Sequence, residues 1–247
     1  MLTKYEPVCY ELLRPGQVKE IRDKCPIVYI SAGALEWHGV QNPLGTDSLK
    51  AHAICCEAAL KYGGVVLPPF YLGVHAEGCW GPEGWTGYTL GCNQETMLEA
   101  AMRGTVKALV LGGWKVIVGV TGHDVREQRD AIQRAINAET SGTGATGFAV
   151  MEGQLHQRND TIPHVMDHAG AWETSCMMYA YPDKVDLDAL RGRNVFPDDI
   201  LKISGTEGID GENPLKYASK ELGVKIIETM GELIGAKAQA LLAGIII

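Results

Sequence analysis

The chain has 247 residues, of which 46% are hydrophobic and 21% charged. That is enough for one large α/β domain, or two small ones, of ordinary globular composition. A formal net charge of -8 and no Lys/Arg-rich run argue against nucleic acid or an anionic membrane as a partner.

The first strand is expected over Pro26–Ser31, a short apolar run suited to burial on both faces. Directly after it comes Gly33-Ala-Leu-Glu-Trp-His-Gly-Val-Gln-Asn-Pro-Leu-Gly-Thr-Asp47. Glu36 and His38 are two apart, so in extended chain they point to one side. A carboxylate and an imidazole facing one site suit Zn, Mn or Fe better than a soft all-thiolate set would. Asp47 opens the helix expected over Ser48–Tyr62, where free N–H groups and the helix dipole favour a carboxylate. It reads equally as a helix-start residue and as a metal ligand. Leu49, His52, Ala53, Cys56 and Leu60 form the apolar stripe of that helix, with His52 its ambiguous member.

A second strand is expected over Val65–Pro68. The loop Val74–Tyr88 follows, rich in glycine and aromatic rings. Trp80, Trp85 and Tyr88 are costly to leave in water, so the loop reads as a binding wall or lid. Further on come a helix over Gln94–Gly112, a strand over Val116–Thr121, a helix over Val125–Glu139 and a strand over Thr146–Met151. His123 stands just past the third of these strands. Ligand sites in open α/β sheets form at the carboxyl ends of strands, which groups His123 with Glu36 and His38. Asp167-His-Ala-Gly-Ala-Trp-Glu-Thr-Ser175 comes next, with Gly170 permitting close backbone approach between His168 and Glu173. An irregular stretch over Arg191–Gly211 precedes a final long helix. That helix is expected from Asn213-Pro214 to about Leu242, weakened by Gly223, Gly231 and Gly235. Alternating β and α elements without a repeat or linker predict one domain over residues 1–247. Its expected architecture is a three-layer α/β/α sandwich on a mainly parallel sheet.

The seven cysteines are an odd number with no C-x-x-C pair, so a reducing cytoplasm is expected rather than a disulfide framework. Cys55-Cys56 is expected to line a helix core. No signal peptide is recognisable, and the apolar tail Leu241–Ile247 is far too short to span a bilayer.

Taken together, Gly33-Ala-Leu-Glu-Trp-His-Gly, Leu44-Gly-Thr-Asp47, Thr121-Gly-His123 and His168-Ala-Gly-Ala-Trp-Glu-Thr-Ser175 resemble the creatininase (creatinine amidohydrolase) family. The resemblance extends across most of the chain. It implies a two-metal hydrolase using Zn, Mn or Fe, commonly a homo-hexamer. Glu36 and His123 would hold one cation, His38 the other, and Asp47 would bridge them. His168 would be the acid/base group, with Asp167 able to orient it. Creatininase itself carries a glutamate two residues after the strand-end histidine, and here that position is Val125. Glu173 is the favoured replacement, ahead of Asp124 and Glu127. Trp80, Trp85 and Trp172 are expected to wall a small cyclic polar substrate. The family implies three chemistries: opening of cyclic amides, deformylation of formamides, and hydrolysis of cyclic keto-inositols in inositol catabolism. A non-catalytic, metal-stabilised binding protein is the reading from another class.

Overall fold

The computed structural model describes residues 3–74, 95–155, 162, 167–193 and 208–244. Four strands carry the fold: β1 Ile27–Ala32, β2 Val65–Val66, β3 Val116–Thr121 and β4 Thr146–Met151. All pair in parallel, in the order β2-β1-β3-β4. β1 and β3 are buried along their whole length, which is why both read as unbroken apolar runs. β4 is the edge strand and alternates toward solvent.

The period-2 geometry of β1 feeds two separate cores. Val28, Ile30 and Ala32 face one side, packed with Leu98, Met102 and Val106 of α3 (Glu95–Leu111). Ala131, Ile132 and Ile136 of α4 (Arg126–Thr140) complete that layer, and Ile21 of α1 (Pro15–Lys24) packs against it. Ile27 and Tyr29 face the other side, toward α2 (Thr46–Tyr62), α5 (Ala171–Ala180) and α7 (Lys220–Leu242). The result is the expected three-layer sandwich with a parallel sheet.

The expected last helix is two helices. A short α6 covers Pro214–Tyr217, with the Asn213 side chain accepting from Leu215 N–H. Ala218 is extended, and Ser219 then caps α7 by accepting from Leu222 N–H. The α7 glycines are contact points rather than weak spots. A Cβ on Gly223 would lie 1.9 Å from Ser175 O, and one on Gly235 would lie 2.3 Å from Tyr62 Cδ2. The missing side chains let α7 sit directly on α5 and α2. Leu60, expected in the α2 stripe, is instead exposed.

Strand order places the site. The chain leaves β1 through α2 to β2 on one flank, then returns to β3 on the other flank. The carboxyl ends of β1 and β3 therefore border the point where the chain direction diverges, where such sheets open a crevice.

Candidate metal centre

Two glycines at that edge let α2 approach the sheet. A Cβ on Gly33, after β1, would lie 2.4 Å from Asp47 Cβ. A Cβ on Gly122, after β3, would lie 2.1 Å from Asp47 O. With neither present, the first turn of α2 drops between the two strand ends, and Ala34 N–H donates to Asp47 Oδ2 at 3.3 Å. Asp47 is thus both of the things its sequence position allowed: a first-turn helix residue and the centre of a cluster.

Its two carboxylate oxygens face different partners. Oδ1 lies 2.9 Å from His38 Nε2, and Oδ2 lies 3.1 Å from His123 Nδ1. Glu36 Oε1 stands 3.0 Å from the same His123 nitrogen, and Glu173 Oε2 stands 3.4 Å from the same His38 nitrogen. Glu36, Asp47 and His123 make one possible ligand group, and His38, Asp47 and Glu173 another. Asp47 is common to both. Glu36, His38 and His168 form a third group. The expected set of Glu36, His38, Asp47, His123 and Glu173 is brought together, all of it buried. Asp124 and Glu127, the weaker candidates for completing the site, are exposed and join none of these groups. Val125 caps α4 and packs against the apolar layer.

Each histidine is oriented by backbone. His38 Nδ1 meets Glu36 O at 3.1 Å, His123 Nε2 meets Val74 O at 2.9 Å, and His168 Nε2 meets Trp37 O at 2.8 Å. A carbonyl only accepts, so in each ring this nitrogen carries the proton. In His38 and His123 the other nitrogen faces the carboxylates, where it can carry a second proton or give its lone pair to a cation, as metal-ligating imidazoles do. Burial alone would lower the pKa of His38, but Asp47, Glu173 and Glu36 outweigh it and raise it to about 9. The same opposition leaves His123 well above its ordinary value and Asp47 well below. So dense an acceptor set calls for positive charge, as protons or as cations. Carboxylate oxygens with two imidazoles in a closed pocket fit divalent Zn, Mn or Fe.

His168 differs. Burial and the neighbouring His38 hold its pKa below the ordinary histidine value, so the ring is neutral near pH 7. Its ring lies 4.6 Å from that of His38, and its Nδ1 is 3.9 Å from Glu36 Oε1. The next residue, Ala169, has φ of 57°, a left-handed conformation that is costly without glycine. It is held there at both ends. Its N–H donates to Glu173 Oε2 at 2.6 Å, and its carbonyl accepts from Gln41 Nε2 at 2.7 Å. Asn42 Nδ2 also donates to Thr174 Oγ1 at 2.9 Å, tying the segment after β1 to α5.

Two expected roles are corrected. Asp167 does not orient His168: its oxygens accept from Trp172 N–H at 2.8 Å and Glu173 N–H at 3.2 Å, capping α5. Gly170 is where the backbone comes closest to that carboxylate, as a Cβ there would lie 2.2 Å from Asp167 Oδ2. Trp172 is no open wall. It is fully buried in the core beneath the site, its indole N–H reaching toward Glu152 Oε1 at 3.4 Å. Trp80 and Trp85 lie outside the described residues.

Sequence reasoning missed Lys50 and Glu152. Lys50, one turn along α2 from Asp47, is buried and pairs with both Glu173 Oε1 and Glu152 Oε1, the latter at 2.9 Å. Burial would lower its pKa, but Glu152, Glu173 and Asp47 raise it well above the ordinary lysine value. The available signal was helical spacing: position 50 shares the face of Asp47, where an apolar residue was to be expected.

Fold and site together define a metal-binding α/β protein of the open parallel-sheet class. The family model described as creatinine amidohydrolase matches residues 11–237. The chain belongs to the creatininase family, and so to a family of metal-dependent hydrolases. It is 27% identical over 225 residues to a creatinine amidohydrolase of Pseudomonas putida, covering 82% of this chain and 84% of that one. Its fold is similar to a creatininase point mutant of the Zn-Zn type and to a manganese creatininase, each with a TM-score of 0.75. Both are 21% identical, with 95% of this chain and 98% of theirs covered.

Proposed function

We propose that this chain hydrolyses a small cyclic polar substrate at a two-cation centre bridged by Asp47. One observation carries the reading: the two oxygens of Asp47 face two different ligand groups, Glu36 with His123 and His38 with Glu173. Cations held there would supply Lewis acidity and bring the ionisation of water into the neutral range. The chain's own residues do the rest. Asp47, Glu36 and Glu173 would contribute three of the four negative charges needed to balance two divalent ions. His168, neutral and anchored through Nε2 to Trp37 O, holds Nδ1 beside Glu36. There it accepts a proton and returns it to the leaving atom. The buried carboxylates and the apolar layers beneath them keep bulk water from the charges, which strengthens every electrostatic contact.

Cyclic amides are one substrate class. The replacement of a ligating glutamate by Val125 favours the other, hydroxylated cyclic ketones cleaved next to the carbonyl, over creatinine. The test is metal analysis with a substrate panel. Wild type should hold about two equivalents of Zn, Mn or Fe at this centre, and Asp47→Asn should lose both of these. His168→Asn should keep them while kcat falls about 10²–10⁴-fold. Creatinine, a formamide and a diketo-inositol compared side by side separate the family chemistries. Full metal content in Asp47→Asn would sink the bridged centre, and tight binding without turnover would favour a binding protein.

A further inference from the structure

A second cluster of soft donors lies in α2, away from the carboxylates. His52 and Cys56 are one turn apart on that helix and so share a face. Cys9 reaches them from the N-terminal segment, where it bridges Val66 at the end of β2. All three are buried, at 1%, 0% and 0% exposure respectively. One ligand atom of each lies within 4.8 Å of the other two. His52 is five residues past Asp47, about 7.5 Å along the helix axis and about 140° around it. The two clusters therefore use different faces of one helix.

The plain alternative is core packing, since free cysteine behaves as a small hydrophobe. The imidazole argues against it. A buried ring nitrogen needs a strong partner, and His38, His123 and His168 each find a backbone carbonyl within about 3 Å. His52 meets sulfur instead: its Nδ1 and Nε2 lie 3.8 and 4.0 Å from Cys56 Sγ. Two ring nitrogens almost equidistant from one sulfur put the ring's carbon edge or face toward Cys56, and both separations exceed a strong hydrogen bond, which leaves the buried imidazole without a strong partner.

We propose that Cys9, His52 and Cys56 form a separate site for a thiophilic closed-shell cation, Zn(II) or Cu(I), that ties the N-terminal segment to α2. Two thiolates and one neutral imidazole select such an ion over the Mn or Mg that an oxygen set accepts. The site has a structural role and does not depend on the reaction proposed above.

The experiment uses the full chain, stripped of metal under reducing conditions and titrated with Co(II). Co(II) should develop an intense thiolate-to-metal charge-transfer band for one equivalent. Asp47→Asn should keep that band, and Cys56→Ser should lose it together with one bound equivalent. Competition with Zn(II) and with Cu(I) then identifies which ion displaces cobalt. X-ray absorption on wild type loaded with Zn(II) needs no variant: a sulfur shell near about 2.3 Å supports the site. A Co(II)-saturated wild type with no thiolate band, or a zinc spectrum of oxygen and nitrogen alone, overturns it.

Discussion

Lys50 shows how a single residue governs the charge of this site. Its ammonium lies between Glu173 and Glu152, and both carboxylates are buried. Removing one partner of a buried ion pair leaves an uncompensated charge, which costs about 3–5 kcal/mol. Lys50→Met should therefore lower unfolding free energy by that order, and Glu152→Gln added to it should recover part of the loss. Chemical denaturation of the three proteins checks this, and a Lys50→Met protein within about 1 kcal/mol of wild type would refute it. Because Glu173 Oε1 belongs to Lys50 while Oε2 faces His38, the same variant should also weaken metal binding. Glu173 was recognisable from its motif; Lys50 was marked only by its helical spacing from Asp47, which does not by itself say that a lysine points inward.

Among the elements, α2 is the one whose placement decides the site. Its apolar stripe predicts a helix, but its depth is set by Gly33 and Gly122, where a side chain would collide with Asp47. Gly122→Ala should push α2 outward, costing about 1–3 kcal/mol as an overpacked position. It should also reduce metal affinity, because Asp47 moves with the helix. Calorimetric titration of the apoprotein with Zn(II) reads both the affinity and the stoichiometry. Unchanged affinity and stability together would show that the close approach is dispensable. The break before α7 was illegible for a related reason. Asn213-Pro214 is a sound helix start, yet Ser219 opens a second, longer helix that packs on both α2 and α5.

At the scale of the molecule, the centre joins both cores. Glu36 and His38 follow β1, His123 follows β3, Asp47 lies on α2 and Glu173 on α5. Ligands bound there stabilise the folded chain by mass action, about 4 kcal/mol at a thousandfold excess over Kd. Chelation should therefore lower Tm, and added Zn(II) or Mn(II) should restore it. Asp47→Asn should respond far less, with the residual response assigned to the cysteine cluster. A wild-type Tm indifferent to chelator would mean that the cations do not hold these elements together. No helix among the described residues is long and apolar enough to cross a membrane.

The sequence by itself determined the strands and most of the helices, because burial on both faces of a parallel sheet leaves unbroken apolar runs. It also marked the candidate ligands, because Glu36-Trp-His38, Asp47, His123 and Glu173 sit beside those runs within recognisable motifs. Only the tertiary structure decided which carboxylate completes the second ligand group. That choice depends on α5 reaching the β1–β3 edge and on Lys50 holding Glu173 there. It likewise decided that Asp167 caps the start of α5 and that Trp172 is a core residue, since the direction a carboxylate turns and the burial of a ring depend on how the folded chain packs. The cysteine cluster belongs with these: Cys9 and Cys56 are 47 positions apart in the sequence, and only the pairing of Cys9 with β2 brings them together.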